Sequence, residues 1–184
     1  MGEWEKIRKS REHRRWRERK GNKGAMIQMD GSNHDWFEGR GPKCVLMGYV
    51  DDAASTVYGR FYEYEGTMPA MDSFWRYIKI NGIPLSLYVD RHTTYKSTAK
   101  GLDESGCEFL SEFERALKEM GVELLHAYSP QAKGRVERLF RTLQDRVVKE
   151  MRKTIEEGNN FLEEYLPELC PSGKRAWNKK VMGV

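Results

Sequence analysis

Cysteine is scarce in this chain, and its scarcity excludes two classes of protein. Cys44, Cys107 and Cys170 stand far apart. No pair has zinc-ligand spacing, and an odd, scattered set implies no disulfide framework. The four histidines (His13, His34, His92, His126) are equally dispersed, so no metal site built from Cys and His is expected. Long apolar runs are lacking too: nothing approaches the roughly 18 residues of a membrane span. The N-terminus is basic and polar, without the apolar segment of a signal peptide, and no internal repeat is visible. These absences lead us to expect a soluble, cytoplasmic protein. Its 184 residues suffice for one domain of roughly 100–150 residues with tails.

What is present begins with charge. The net charge of +4 is unevenly spread: residues 1–20 hold nine Lys or Arg against four Glu, so the rest of the chain is close to neutral. A basic arm on a near-neutral domain suits a polyanion such as DNA, although a solvated, partly helical tail has the same composition.

Periodicity divides the remainder. Residues 25–30 alternate as a short strand, with Asp30 on the face opposite Ile27 and Met29. A glycine-containing polar loop follows, then an apolar strand at 44–51 and a β-branched and aromatic one at 56–64. These three form an antiparallel meander as the most economical arrangement. The pattern then switches to a helix at 69–81 stopped by Gly82, a strand at 85–90 ending in Asp90, a polar loop at 91–106, and an amphipathic helix at 108–120 closed by Gly121. A fifth strand at 122–127 precedes a long helix, opened by Ser129-Pro130 and expected to reach 153. The order implies a mixed five-stranded sheet flanked by helices, of α/β class. The expected organisation is a basic arm at 1–24, a core at 25–153 and a tail at 154–184, weakly helical around 161–166.

Two of these strands thus deliver an aspartate, Asp30 and Asp90, after an apolar residue of the opposite face. Rigid strand ends are a known support for a reactive site, but a single Asp there is more often a turn former or cap. A third carboxylate changes the balance. Glu137 lies at the edge of the apolar stripe of the last helix, from where it can reach over the sheet; its bland role would be a surface pair with Arg141.

The run Ser129-Pro-Gln-Ala-Lys-Gly-Arg-Val-Glu-Arg138, together with Ile27-Gln-Met-Asp-Gly-Ser32, resembles the core of DDE transposases and retroviral integrases. The likeness is nearest to the ISNCY group of insertion-sequence transposases. The blocks at 34–43, Val50-Asp-Asp-Ala53 and Tyr88-Val-Asp-Arg-His92 carry the same flavour, and the resemblance spans about residues 11–165. It implies an RNase H-like fold and maps the family's acidic triad onto Asp30, Asp90 and Glu137. Between the first two lie 59 residues and between the last two 46; the second gap is longer than in retroviral integrases, and the polar loop accounts for it.

The implied activity is metal-dependent DNA cleavage and strand transfer. Three carboxylates around one point repel unless cations compensate, and hard oxygen ligands select Mg²⁺ or Mn²⁺. Two such ions about 3.5–4 Å apart clamp an in-line phosphoryl displacement, one activating water or a 3′-hydroxyl and the other stabilising the leaving oxygen. No covalent protein–DNA intermediate is required. The implied partners are DNA (transposon ends and target) and further copies of the chain.

Gln131, Lys133, Arg135, Arg138 and Arg141 cluster at the start of the Glu137 helix. Cations there oppose the helix dipole, and a phosphate chain would compensate them. Trp36, Phe37, Tyr95 and Tyr128 are candidates for base stacking or for core packing. Asp51 and Asp52 read as a turn, Asp35 and Glu38 as loop residues, and His92 as a solvated neighbour of Asp90.

Two departures from the family keep alternatives open. Neither a helix-turn-helix before the core nor the family's usual continuation after about residue 166 is seen, as expected of a truncated copy. A non-catalytic remnant that binds DNA or dimerises, and so interferes with a full-length transposase, therefore stands beside the active core. A structure-specific nuclease of the same fold is disfavoured by the Pro-Gln-Ala-Lys-Gly lead to Glu137.

Overall fold

A computed structural model describes residues 18–90, 110–127, 134–146, 148 and 154–169. Within them the order is β1 (Ile27–His34), β2 (Cys44–Asp51), β3 (Val57–Tyr62), α1 (Thr67–Asn81), β4 (Ser86–Val89), α2 (Glu112–Glu119), β5 (Glu123–His126), α3 (Gly134–Arg146) and α4 (Ile155–Leu169). The five strands form one sheet in the order β3-β2-β1-β4-β5. β1, β2 and β3 pair antiparallel as the expected meander, and β4 and β5 add parallel to β1. The mixed sheet with flanking helices is therefore as read from the sequence. Among the described residues no helix is long and apolar enough to cross a membrane.

Alternation along the strands sends side chains to two separate cores. Ile27, Met29, Val45, Met47, Tyr49, Leu87 and Val89 face α1 and α2, meeting Phe74, Tyr77, Phe113 and Leu117. Leu46, Val50 and Phe61 face α3 and α4, meeting Val136, Phe140, Leu143, Leu162 and Leu166. β2 is buried along its whole length, because helices cover both of its faces.

The helices start and stop where their chemistry dictates. Ser111 caps α2: its hydroxyl accepts from the Glu114 N–H, and the Glu114 carboxylate accepts from the Ser111 N–H. This reciprocal box satisfies two otherwise orphaned donors. Gly121, at φ 73°, ends the following turn in a conformation that disfavours side chains.

Two boundaries differ from expectation. β1 continues through Gly31–Ser32–Asn33 to His34, which pairs with Cys44, so residues 31–34 are strand rather than loop. The described part of the last long helix is Gly134–Arg146; its expected start at Ser129-Pro130 lies outside the described residues, as do the neighbours of Val148. The helix expected around 161–166 extends over Ile155–Leu169: α4 lies on β3, with Leu162 and Leu166 in the core. Gly158 packs where an added Cβ would stand 3.3 Å from the rings of Phe37 and Phe61. Next to it the Asn159 side chain accepts from Phe61 N–H at 2.6 Å and donates to Phe61 O at 3.2 Å.

Candidate active site

The site is built on the sheet face that carries α3. Gln28 and Asp30 alternate with the buried Ile27 and Met29, so they point to that face. β1 and β4 run parallel with Ile27 opposite Leu87 and Gln28 opposite Tyr88. Carrying that register two residues further sets Asp30 level with Asp90, which directly follows β4. Both aspartates are half-buried. Asp30 stands in the middle of β1 rather than at its end, because the strand runs on to His34.

α3 approaches from above β2. Its Phe140 ring lies over Gly48, where an added Cβ would be 2.6 Å from the ring. Gly48 is the β2 residue directly opposite Asp30. At roughly 100° per residue, Glu137 lies about 60° round the helix from Phe140. It falls on the flank away from β3 and is exposed. Asp30, Asp90 and Glu137 thus belong to one side of the sheet. Among the described residues, however, no three His, Cys, Asp or Glu side chains lie close enough together to hold a metal ion.

The opposite flank of α3 is organised around Asp52, which is fully buried. Its Oδ2 accepts from Lys20 N–H at 2.9 Å, and its Oδ1 from Gln28 Nε2 at 3.1 Å. Arg135 Nη1 stands 3.3 Å from the same Oδ1 and also donates to the Asp52 carbonyl. Asp51 has the expected turn role: one oxygen accepts from Ala53 and Ala54 N–H, the other from Gly24 N–H. Beyond the Arg135 pair a cleft of about 230 Å³ opens, lined by Arg19, Ser55, Val57, Arg138 and Thr142 among others.

Behind Asp90, His126 supports the strand end from β5. Its Nδ1 lies 3.4 Å from the Asp90 carbonyl oxygen and its Nε2 3.3 Å from Glu114 Oε1. Glu114 thereby joins the cap of α2 to the backbone of the site.

The remaining expected residues sort as follows. Arg138 and Arg141 are exposed on α3, whereas the Arg135 side chain is only 15% exposed and faces inward. Gln131, Lys133, His92, Tyr95 and Tyr128 lie outside the described residues. Trp36 and Phe37 are wholly buried core residues. Cys44 is also buried, and burial, with the nearby Asp35 carboxylate, pushes its thiol up to about 12, so it is no nucleophile. Sequence reasoning missed the roles of Asp52 and His126. The Ser-x-x-Glu box at 111–114 was a visible helix start, but nothing local marks Asp52 as buried.

No protein-family model matches the sequence. Over 148 residues, 78% of its length, the chain is 39% identical to a putative transposase of Sinorhizobium fredii. Over 156 residues, 82% of its length, it is 35% identical to the transposase for insertion sequence IS1202 of Streptococcus pneumoniae. The chain spans about a third of the length of these curated relatives (32% and 33%). Among solved structures, the catalytic core domain of BIV integrase is similar with a TM-score of 0.58 at 19% identity, 88% of each chain being covered. The HTLV-2 integrase catalytic core domain, solved in complex with magnesium in a dimeric form, gives 0.53 at 17% identity over 83% of this chain and 82% of that one.

Proposed function

We propose that this chain, which belongs with the DDE transposase and integrase catalytic cores, cleaves DNA and transfers its strands using Asp30, Asp90 and Glu137. The observation that carries this reading is the parallel register of β1 and β4, which extended by two residues sets Asp30 level with Asp90 just past β4, beneath a helix docked through Phe140 onto the residue opposite Asp30.

The donor set fits Mg²⁺ or Mn²⁺ in kind: three carboxylates, hard oxygen ligands, on one side of a rigid sheet. Closing the remaining distance falls to Glu137, whose exposed side chain can change rotamer. Bound there, such ions would supply charge compensation and an activated oxygen nucleophile. The chain's own residues do the rest. The sheet fixes two carboxylates at the spacing of adjacent strands, and α3 presents the third. Arg138 and Arg141, exposed on α3, meet DNA phosphates, together with Gln131 and Lys133, which precede Gly134 in the sequence. Arg135, the remaining residue of that cluster, pairs with Asp52. We also expect the chain to act as a homo-oligomer on transposon ends and target DNA.

Nicking of supercoiled plasmid in Mg²⁺ or Mn²⁺ tests this function. We expect activity in the parent and its loss in Asp90→Ala, by the 10²-fold or more typical when electrostatic machinery is removed. An Asp90→Ala protein that nicks as fast as the parent would show Asp90 to be no ligand. DNA binding without any nicking by the parent would favour the non-catalytic remnant instead.

A further inference from the structure

The contact between α3 and the end of β2 does more than hold the helix down. Phe140 over Gly48 fixes where α3 sits along the sheet, and Val136, Leu139 and Leu143 seat its apolar stripe in the core, but apolar contacts alone tolerate small rolls of a helix about its axis. The Arg135–Asp52 pair limits that roll. Arg135 and Glu137 are two residues apart, about 200° round the helix, so anchoring one on the β2 side turns the other toward β1 and β4.

The pair has the marks of a device for orientation rather than stability. An arginine in the first turn of a helix opposes the dipole, and a fully buried carboxylate costs solvation that a single ion pair rarely recovers. Asp52 nonetheless gathers donors from three segments: Lys20 N–H before β1, Gln28 Nε2 on β1 and Arg135 on α3. The Gln28 amide is held by one end only. Its Oε1 is buried without a hydrogen-bond partner among the described residues, a cost of the amide turning its N–H toward the Asp52 charge. Gln28 is also the residue two before Asp30 on the same face, so the anchored carboxylate touches both the strand that carries one acid and the helix that carries another.

We infer that Asp52 and Arg135 are a positioning pair that sets the roll of α3, and thereby the point from which Glu137 reaches Asp30 and Asp90. This rests on the reading of Glu137 given above.

Thermal-shift titrations with Mn²⁺ test the inference without requiring turnover, on the parent, Arg135→Met, Arg135→Lys, Asp52→Asn and Glu137→Gln. DNA affinity is followed by fluorescence anisotropy at fixed salt. We expect Arg135→Met and Asp52→Asn to raise the Mn²⁺ concentration of half-maximal stabilisation by roughly 10–100-fold, the usual consequence of removing a group that orients a metal ligand. An Arg135→Met/Asp52→Asn double variant, titrated alongside, should shift no further, because the two residues act as one unit. Arg135→Lys, which keeps the charge but not the planar fork, should fall between and keeps the test available if Asp52→Asn does not fold. Folded variants with lower melting temperatures but an unchanged Mn²⁺ requirement would reduce the pair to scaffold and overturn the inference. Lost DNA affinity with an unchanged Mn²⁺ requirement would make Arg135 a phosphate contact, and overturns it equally. If Glu137→Gln titrates like the parent, or the parent does not respond to Mn²⁺, it is the reading of the triad that fails.

Discussion

The two faces of the sheet are covered by two helices each, yet they are built on different terms. Against α1 and α2 the sheet presents an almost wholly apolar surface, and the polar atoms buried there are paired, as in the 2.6 Å contact between the Tyr49 and Ser73 hydroxyls. Against α3 and α4 the apolar contacts are confined to β2 and β3, and the positions contributed by β1 are Gln28, Asp30 and Ser32. One face is a core; the other is half core and half polar floor. A sheet can carry a polar floor only if its other side supplies enough buried apolar surface to hold the strands rigid.

Substitutions can break this contrast. The largest loss of stability is expected from the closed face. Phe74→Ala removes a ring packed among Tyr77 and Phe113 and should cost about 3–5 kcal/mol, read from the urea midpoint, with the Mn²⁺ requirement of the folded fraction unchanged. On the other face, Asn159→Ala strips both hydrogen bonds from the buried Phe61 backbone. An orphaned buried polar group costs about 1–3 kcal/mol, and proteolysis should release α4 before the sheet unfolds. The smallest effect belongs to Ser111→Ala, which removes a cap worth about 1 kcal/mol and should lower the melting temperature slightly. A Phe74→Ala protein whose Mn²⁺ requirement rises with its instability would mean that the two faces are not separable.

Where sequence and structure agree, the pattern was local. The alternation of Leu87 and Val89 against Tyr88, the stops at Gly82 and Gly121, and the apolar stripe Val136–Leu139–Phe140–Leu143 each follow from a few neighbouring residues. The disagreements have long-range causes. Gly31, Ser32 and Asn33 are poor strand formers, but the buried β2 offers each of them a paired partner, and tertiary pairing overrides propensity. α4 was hard to read because two of its inward positions are Gly158 and Asn159, where helical periodicity calls for apolar residues. Gly158 is small because the Phe37 and Phe61 rings press on it, and Asn159 is polar because it serves the backbone of another strand. At the site, the three acids were nominated as candidates from motif and alternation. The Asp52–Arg135 pair was not, since nothing near Asp52 in the sequence says that it will be buried 83 residues away from its partner.

The amide of Asn159 has one more consequence. β3 is an outer strand of the sheet, and its outward N–H and C=O groups are the template onto which a strand from another molecule could add. By occupying both groups of Phe61 with a single side chain, α4 ends the sheet there. The same residue that docks the helix therefore keeps the rim from growing, and loss of that amide should be felt in concentrated solution as association as well as in dilute solution as instability.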